Sequence, residues 1–352
     1  MLDFRSSGFL PNLDLIQIHL PQLMIKRWAA CLGLVALLAL SGCTSMKVRL
    51  GWKVYLAKIP VKSIEASLPK GPGIAPGAKS PLVVVVTQPN GKVLRTEGKG
   101  GGKVLWKDLQ VTANVVAANK KGVLSLPSDP RITDGKLGHV TITVPSHPDV
   151  GAAELDIPVR YNYKFSSNFS GSSGFSGMNG TDGSDGMSGS LGSTDPDHPS
   201  AGGNGSDGSN GSDGHDGGRG GDAPPVQIRV ALRSGSQPLL QFSVSAAGQE
   251  KLYLVDPQGG SLTVVADGGS GGSGGKGGRG GRGGSGGIGT PNGSSGRDGS
   301  DGRNGWDGPQ GKGGSITVSY DPHAKAFLGT IHLSNRNGPP PVFKEEPMAP
   351  LW

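Results

Sequence analysis

Cysteine is nearly missing from this chain of 352 residues, with only Cys31 and Cys43 present. Two cysteines allow at most one disulfide, so a disulfide framework is excluded. Histidine is scarce as well. His139, His147, His198 and His215 are scattered without metal-ligand spacing, and His332 sits at a strand position among polar neighbours. No Ser/His/Asp set, Cys/His pair or carboxylate pair can be nominated. The chain therefore reads as a non-enzyme with no cofactor and no catalytic residue. The glycine doublets are not a nucleotide fingerprint, because no helix follows them. The longest apolar stretch, residues 28–40, is too short to span a bilayer.

Glycine, in contrast, supplies 64 residues. It falls at every third position in four runs, 171–192, 202–220, 268–289 and 293–314, and the only proline inside them is Pro309. A strict period of three calls for a helix with three residues per turn and one bare face, and polyproline II is that helix. A flexible linker has no reason to hold the period through four runs.

Two architectures fit: a collagen triple helix of three chains, or a bundle made within one chain. The near-absence of proline favours the bundle, as do the turns that make two hairpins of the runs. The first pair turns through residues 193–201 and the second at Thr290, Pro291 and Asn292. The third run reads Gly-Gly-X. Its glycines Gly268, Gly269, Gly271, Gly272, Gly274, Gly275, Gly277, Gly278, Gly280 and Gly281 are the expected bundle core. Two bare faces allow neighbours on both sides, which predicts the third run as the central helix. Its remaining residues, Ser270, Ser273, Lys276, Arg279, Arg282, Ser285 and Ile288, should face solvent. A run of roughly 22 residues would reach about 70 Å. Residues 166–222 carry eight Asp and one Arg, while residues 268–314 carry six Lys/Arg and three Asp. This contrast predicts that an acidic hairpin lies on a basic one.

The segment Gly296-Arg297-Asp298-Gly299-Ser300-Asp301-Gly302 resembles bacterial collagen-like proteins. The whole arrangement resembles the glycine-rich polyproline II bundles of snow-flea antifreeze protein and of phage tail-fibre adhesin tips. The resemblance implies an interlocked bundle with a flat, repetitive face. Residues 202–210 resemble the calcium-binding nonapeptide of RTX β-rolls, but Ser209 stands where an apolar residue belongs and the repeat is three rather than nine. Asp182, Asp185, Asp207 and Asp213 are weak calcium candidates, since hard cations take carboxylate oxygens. Solvated surface charge is the stronger reading, so no metal site is expected.

Near the N-terminus, Lys26 and Arg27 precede the apolar residues 28–40, and Leu40-Ser41-Gly42-Cys43 follows. Charge followed by a short apolar stretch is the pattern of an export signal. The four residues Leu40, Ser41, Gly42 and Cys43 resemble the bacterial lipobox. That resemblance implies lipidation of Cys43, palmitate among the acyl chains, and loss of Cys31 with the signal. Residues 1–23 are expected to be a mis-assigned extension, with translation starting at Met24. Thr44 after Cys43, where Asp would retain the protein, implies the outer membrane by resemblance to enterobacterial sorting.

Residues 43–80 read as tether and linker, with a Pro/Gly-rich stretch at 70–77. Residues 81–165 read as a β domain. Residues 82–86 are a buried-strand run, and Val140, Ile142 and Val144 alternate with polar neighbours, as do Leu155, Ile157 and Val159. In size and strand spacing the domain resembles an immunoglobulin-like sandwich. Residues 223–267 and 315–337 supply six more strands, expected to form a second small β unit, and 338–352 is a Pro-rich tail. The fold class is thus all-β plus a glycine-rich polyproline II bundle, with no substantial α-helix apart from the signal.

The expected role is a lipid-anchored cell-envelope protein, structural or adhesive, touching the membrane through Cys43. Residues 44–164 hold eighteen Lys/Arg against eight Asp/Glu, which suits anionic lipid or glycan, with a simply solvated surface as the stronger reading. Alternatives are an envelope glycan-binding protein, a trimeric collagen-like stalk and an ice- or mineral-binding protein. A surface polysaccharide or a protein is the expected ligand, nucleic acid is not, and the chain is expected to be a monomer, with a trimer as the alternative.

Overall fold

A computed structural model of the chain describes residues 44–97, 102–233, 235 and 238–352. Cys31, Cys43 and the lipobox residues Leu40, Ser41 and Gly42 lie outside the described residues. The described chain is all-β with little helix. It divides into two compact units, one made of residues up to 67 with 83–111 and 142–154, the other of 68–82, 112–141 and 155–352.

The first unit opens with a short helix, α1 (Thr44–Arg49), closed at Gly51, whose φ of +69° suits glycine. Strand β1 (Ser63–Ser67) follows, so residues 44–80, read from the sequence as tether and linker, carry regular elements. Strand β2 (Lys79–Pro81) closes that stretch. Next come β3 (Val83–Thr87) and β4 (Val93–Arg95). β1, β3 and β4 make one antiparallel sheet, with β3 in the middle. β3 is buried almost end to end because it is a run of valines: Val84 and Val86 have no exposure. Thr96 accepts the N–H of Val84, so this central strand stays satisfied where it runs past β4.

Strands β5 (Gln110–Asn114), β6 (Ala117–Ala118), β7 (Val123–Ser125), β8 (Gly138–Thr143), β9 (Ala153–Ile157) and β10 (Lys164–Asn168) follow, with a short helix α2 (Pro130–Thr133) capped by Asp129 before β8. β2, β7 and β6 form one sheet in that order, and β5, β8 and β9 another. β8 shows the period-two pattern read from the sequence, with Val140 and Ile142 inside and Thr141 and Thr143 half-exposed.

β10 departs from the sequence-based boundary at 165. It pairs in parallel with β14 (Ser261–Val265), far along the chain. Before β14 come β11 (Val226–Arg233), β12 (Leu239–Ala246) and β13 (Gln249–Val255). After it come β15 (Ile316–Tyr320), β16 (Ile331–Ser334) and β17 (Val342–Glu345). These strands make two sheets, β10-β14-β16 and β13-β12-β11-β15-β17. One apolar cluster joins them, including Phe165, Leu262 and Val264 from the smaller sheet and Val226, Ile228, Phe242 and Val318 from the larger. Burying each such side chain stabilises by about 1.5–3 kcal/mol. β12 and β13 turn at Ala247 and Gly248, both at positive φ, as a tight hairpin requires.

The tail is also tied down. β17 adds to the edge of β15, and the buried amide of Gln241 on β12 holds the chain end at both atoms. Its Nε2 donates to the carbonyl of Trp352 at 3.1 Å, and its Oε1 accepts the N–H of Leu351 at 2.9 Å. No local pattern signals this contact, since the partners lie 110 positions apart.

Candidate functional site

The four glycine runs carry neither helix nor strand, yet their backbones are locked together. Each leaves directly from a strand of the two-sheet unit: the first run follows β10, the second precedes β11, the third follows β14 and the fourth precedes β15. The N–H of Gly174 donates to the carbonyl of Ser270, and this first-to-third bond recurs every triplet from Gly171 to Gly192. Gly272 donates to Gly218, third run to second; Gly218 to Phe175, second to first; Gly217 to Trp306, second to fourth; and Gly305 to Gly275, fourth to third. Each of these bonds also repeats at three-residue spacing. The second and third runs therefore each touch the other three, while the first and fourth touch only those two. The expected central position of the third run is shared with the second.

The register explains how so regular a ladder arises. Side-chain hydrogen bonds of the first run reach residues of the third run 97 positions on, from Ser173 with Ser270 to Asp185 with the N–H of Arg282, the same offset that separates Lys164 from Ser261 in the strands. The second and fourth runs keep an offset of 90, from Asn204 with Ser294 to Asp222 with Lys312, as does Val226 with Ile316. The strand pairs continue outward without a slip.

Glycine is required by close approach. A Cβ on Gly268, Gly271, Gly274, Gly277 or Gly280 would lie under 3.0 Å from a carbonyl of the fourth run. On Gly269, Gly272, Gly275, Gly278 or Gly281 it would meet a carbonyl of the first run just as closely. The third run thus needs two bare faces because it has a neighbour against each. The Gly269 series is buried and the Gly268 series half-buried, whereas Ser270, Ser273, Lys276, Arg279, Arg282, Ser285 and Ile288 are all exposed.

The acidic residues have a role that composition does not reveal. Oδ1 of Asp182 accepts the N–H of Arg279 at 2.8 Å, and Asp185 that of Arg282. Asp207 accepts from Arg297 and Asp213 from Arg303, each at 2.7 Å. The four calcium candidates are thus spread over two seams, each engaged with backbone of the neighbouring run. Among the described residues no group of three or more His, Cys, Asp or Glu is placed to hold a metal ion. On the other side of the third run, Asp298, Asp301, Asn304 and Asp307 accept the N–H groups of Gly283, Gly280, Gly277 and Gly274. The acidic hairpin does meet the basic one, and what joins them is backbone amides donating to carboxylates. Among the described residues no ion pair within 4.0 Å links one run to another.

The surfaces differ by seam. Along the first and second runs the facing rows are Ser172, Phe175, Met178, Thr181, Ser184 and Met187, opposed by Gly221, Gly218, His215, Ser212, Ser209 and Ser206. Neither row contains a Lys, Arg, Asp or Glu. Phe175, Met178 and Met187 are 71–79% exposed. Ser212 Oγ accepts the N–H of Thr181 and contacts its hydroxyl at 3.1 Å, so the small polar residues are fixed. Gly218 leaves room for the ring of Phe175, whose Cε1 lies where a Cβ would stand. Across the second run, Trp306 is 81% exposed. Because adjacent amides of Gly217 and Gly218 donate to the carbonyls of Trp306 and Phe175, these two residues stand at one level on either side of the second run.

Asp267 fixes the base of this surface. Its carbonyl accepts from Gly171, the first rung of the ladder. Its buried carboxylate accepts from Ser334 Oγ at 2.7 Å, from the N–H of Arg336 and from Arg336 Nε. These bonds, led by that of Ser334, hold its pKa below the usual carboxylate value. His139, His147, His198 and His215 lie on separate elements and are not brought together. Among the described residues no helix is long and apolar enough to cross a membrane. Comparison with protein-family models, with curated proteins and with solved structures finds no match to this chain.

Proposed function

We propose that this chain is a lipid-anchored protein of the bacterial cell envelope whose four glycine runs form a polyproline II bundle with a structural or adhesive role. The observation that carries the reading is the period-three ladder. Every run finds its backbone partners within one chain, and every seam has glycines where the runs approach most closely. An isolated polyproline II helix has no internal hydrogen bonds, so a paired set is the stable form. The same ladder favours the intrachain bundle over a three-chain collagen stalk. Large apolar side chains held out from so fixed a backbone suit a binding surface. Lipid on Cys43, as the lipobox resemblance implies, would keep that surface at the cell envelope.

A second reading, glycan binding, is favoured by the exposed Phe175 and Trp306 at one level on either side of the second run. Aromatic faces take the C–H face of a sugar ring, while His215, Asp216 and Arg219 nearby offer hydrogen bonds. The uncharged first-to-second seam also suits an ordered surface such as ice or mineral, and thermal hysteresis would reveal that use.

Metabolic labelling with a palmitate analogue tests the anchor: label on the native chain and none on Cys43→Ser is expected. Sedimentation equilibrium of the delipidated chain tests the bundle. A monomer with a cooperatively melting polyproline II circular-dichroism band is expected, and a trimer that dissociates as the band melts would overturn it. Glycan-array signal lost in Phe175→Ala and Trp306→Ala would select the second reading.

A further inference from the structure

The helix α1 and the turn after it hold three large apolar side chains in water. Met46 is 40% exposed, Leu50 52% and Trp52 54%, all within seven residues. The backbone fixes them. Leu50 N–H donates to Met46, Gly51 to Val48 and Trp52 to Lys47, and positive φ at Gly51 turns the chain so that Trp52 follows directly. The turn is fastened to the rest of its unit: Lys103 Nζ donates to the Gly51 carbonyl at 2.9 Å, and Lys53 Nζ to Gly102 at 2.6 Å. The charge around them has one sign. From residue 44 the sequence holds Lys47, Arg49, Lys53, Lys58 and Lys62 before its first acid, Glu65. The nearby carboxylate of Asp108 is engaged with the N–H of Leu56.

We propose that Met46, Leu50 and Trp52, with Lys47 and Arg49, form a docking surface for an anionic lipid bilayer. The proposal rests on the reading of Cys43 as lipidated. Cys43 immediately precedes α1, so acyl chains there would place these side chains at the depth of the headgroups. Tryptophan favours that interfacial level, and Lys and Arg are drawn to anionic headgroups there. The acyl chains on Cys43 would supply the anchor, since two or more chains tether stably. A contact folded into the first unit would then hold that unit against the membrane instead of leaving it on a free tether.

The native chain gives a direct test, because a lipidated Cys43 and a removed Cys31 leave no free thiol. The full chain is expressed in a lipoprotein-processing bacterium, purified in detergent and returned to vesicles of phosphatidylethanolamine and phosphatidylglycerol. Nitroxides are placed at Leu50→Cys, at Trp52→Cys and, as a further site if either folds poorly, at Met46→Cys. Val93→Cys, exposed on β4, is the reference. Expected is loss of collision with a water-soluble nickel chelate and gain of collision with dissolved oxygen at 50 and 52 but not at 93. In neutral phosphatidylcholine vesicles this protection should weaken, and equal protection in both would overturn the anionic assignment. Mass spectrometry of the same sample reads the anchor separately. Lipid on Cys43 with residues 50 and 52 as open to the chelate as residue 93 would overturn the docking surface alone. No lipid on Cys43 would bring down both readings.

Discussion

The two-sheet unit and the glycine runs share one register and are held by opposite means. Between the sheets, Val226, Phe242, Leu262 and Val264 are buried against one another, and stability comes from apolar surface removed from water. Among the runs almost no side chain is buried. What is hidden is glycine, and the holding force is amide to carbonyl and amide to carboxylate. One pairing pattern can thus pass from a region where side-chain volume is everything to one where any side chain is too much.

This contrast can be broken at either end. The largest effect is expected from Phe242→Ala, a fully buried ring whose loss costs about 3–5 kcal/mol. It should lower the denaturant midpoint of the sheets and the runs together, because the runs start from the sheets. Gly278→Ala does the reverse, adding one methyl under 3.0 Å from the carbonyl of Thr181. It should cost about 3 kcal/mol or more, as overpacking does. Hydrogen exchange should accelerate at the run amides while β11 and β12 stay protected. Equal acceleration in both regions would show that they unfold as one body.

Acid probes the junction. The folded-state pKa of Asp267 lies below its unfolded value, so its contribution is fully present above the ordinary carboxylate range and is lost as pH falls through the folded value. Urea midpoints should hold between neutral pH and about 5 and fall below about 4. Asp267→Asn should flatten that fall while lowering the plateau. Smaller again is Asp301→Ala, which frees the N–H of Gly280 and should cost about 1 kcal/mol. Asp301→Asn keeps an acceptor oxygen and should cost much less. A loss in Asp301→Asn as large as in Asp301→Ala would show that charge, rather than the hydrogen bond, holds the seam. Arg282→Ala, on the exposed row of the third run, should stay within about 0.5 kcal/mol.

Much of this was legible in the chain. The Gly-Gly-X pattern requires a run with two close neighbours and one free row, and the exposure of Lys276, Arg279 and Arg282 follows that arithmetic. The alternation of Val140 and Ile142 marks β8 just as directly. The role of Asp182, Asp207 and Asp301 was hidden, because a carboxylate that accepts an amide and one that faces water look the same in composition. The offsets of 97 and 90 were hidden as well, since they join segments with long intervening chain. The surface around Trp52 was hidden because Lys and Gly around it read as a loose tether, while Lys53 Nζ donating to the Gly102 carbonyl and Lys103 Nζ to the Gly51 carbonyl hold it.

The constant offsets have a consequence for how such a chain can change. Inserting one residue in one run would misplace every later partner, and inserting a triplet in one run would leave it unmatched. The ladder can lengthen or shorten only when all four runs gain or lose a triplet together, so its length advances in discrete steps. Related chains should therefore differ in size by coordinated triplets, with the turns at 193–201 and 290–292 carried outward intact.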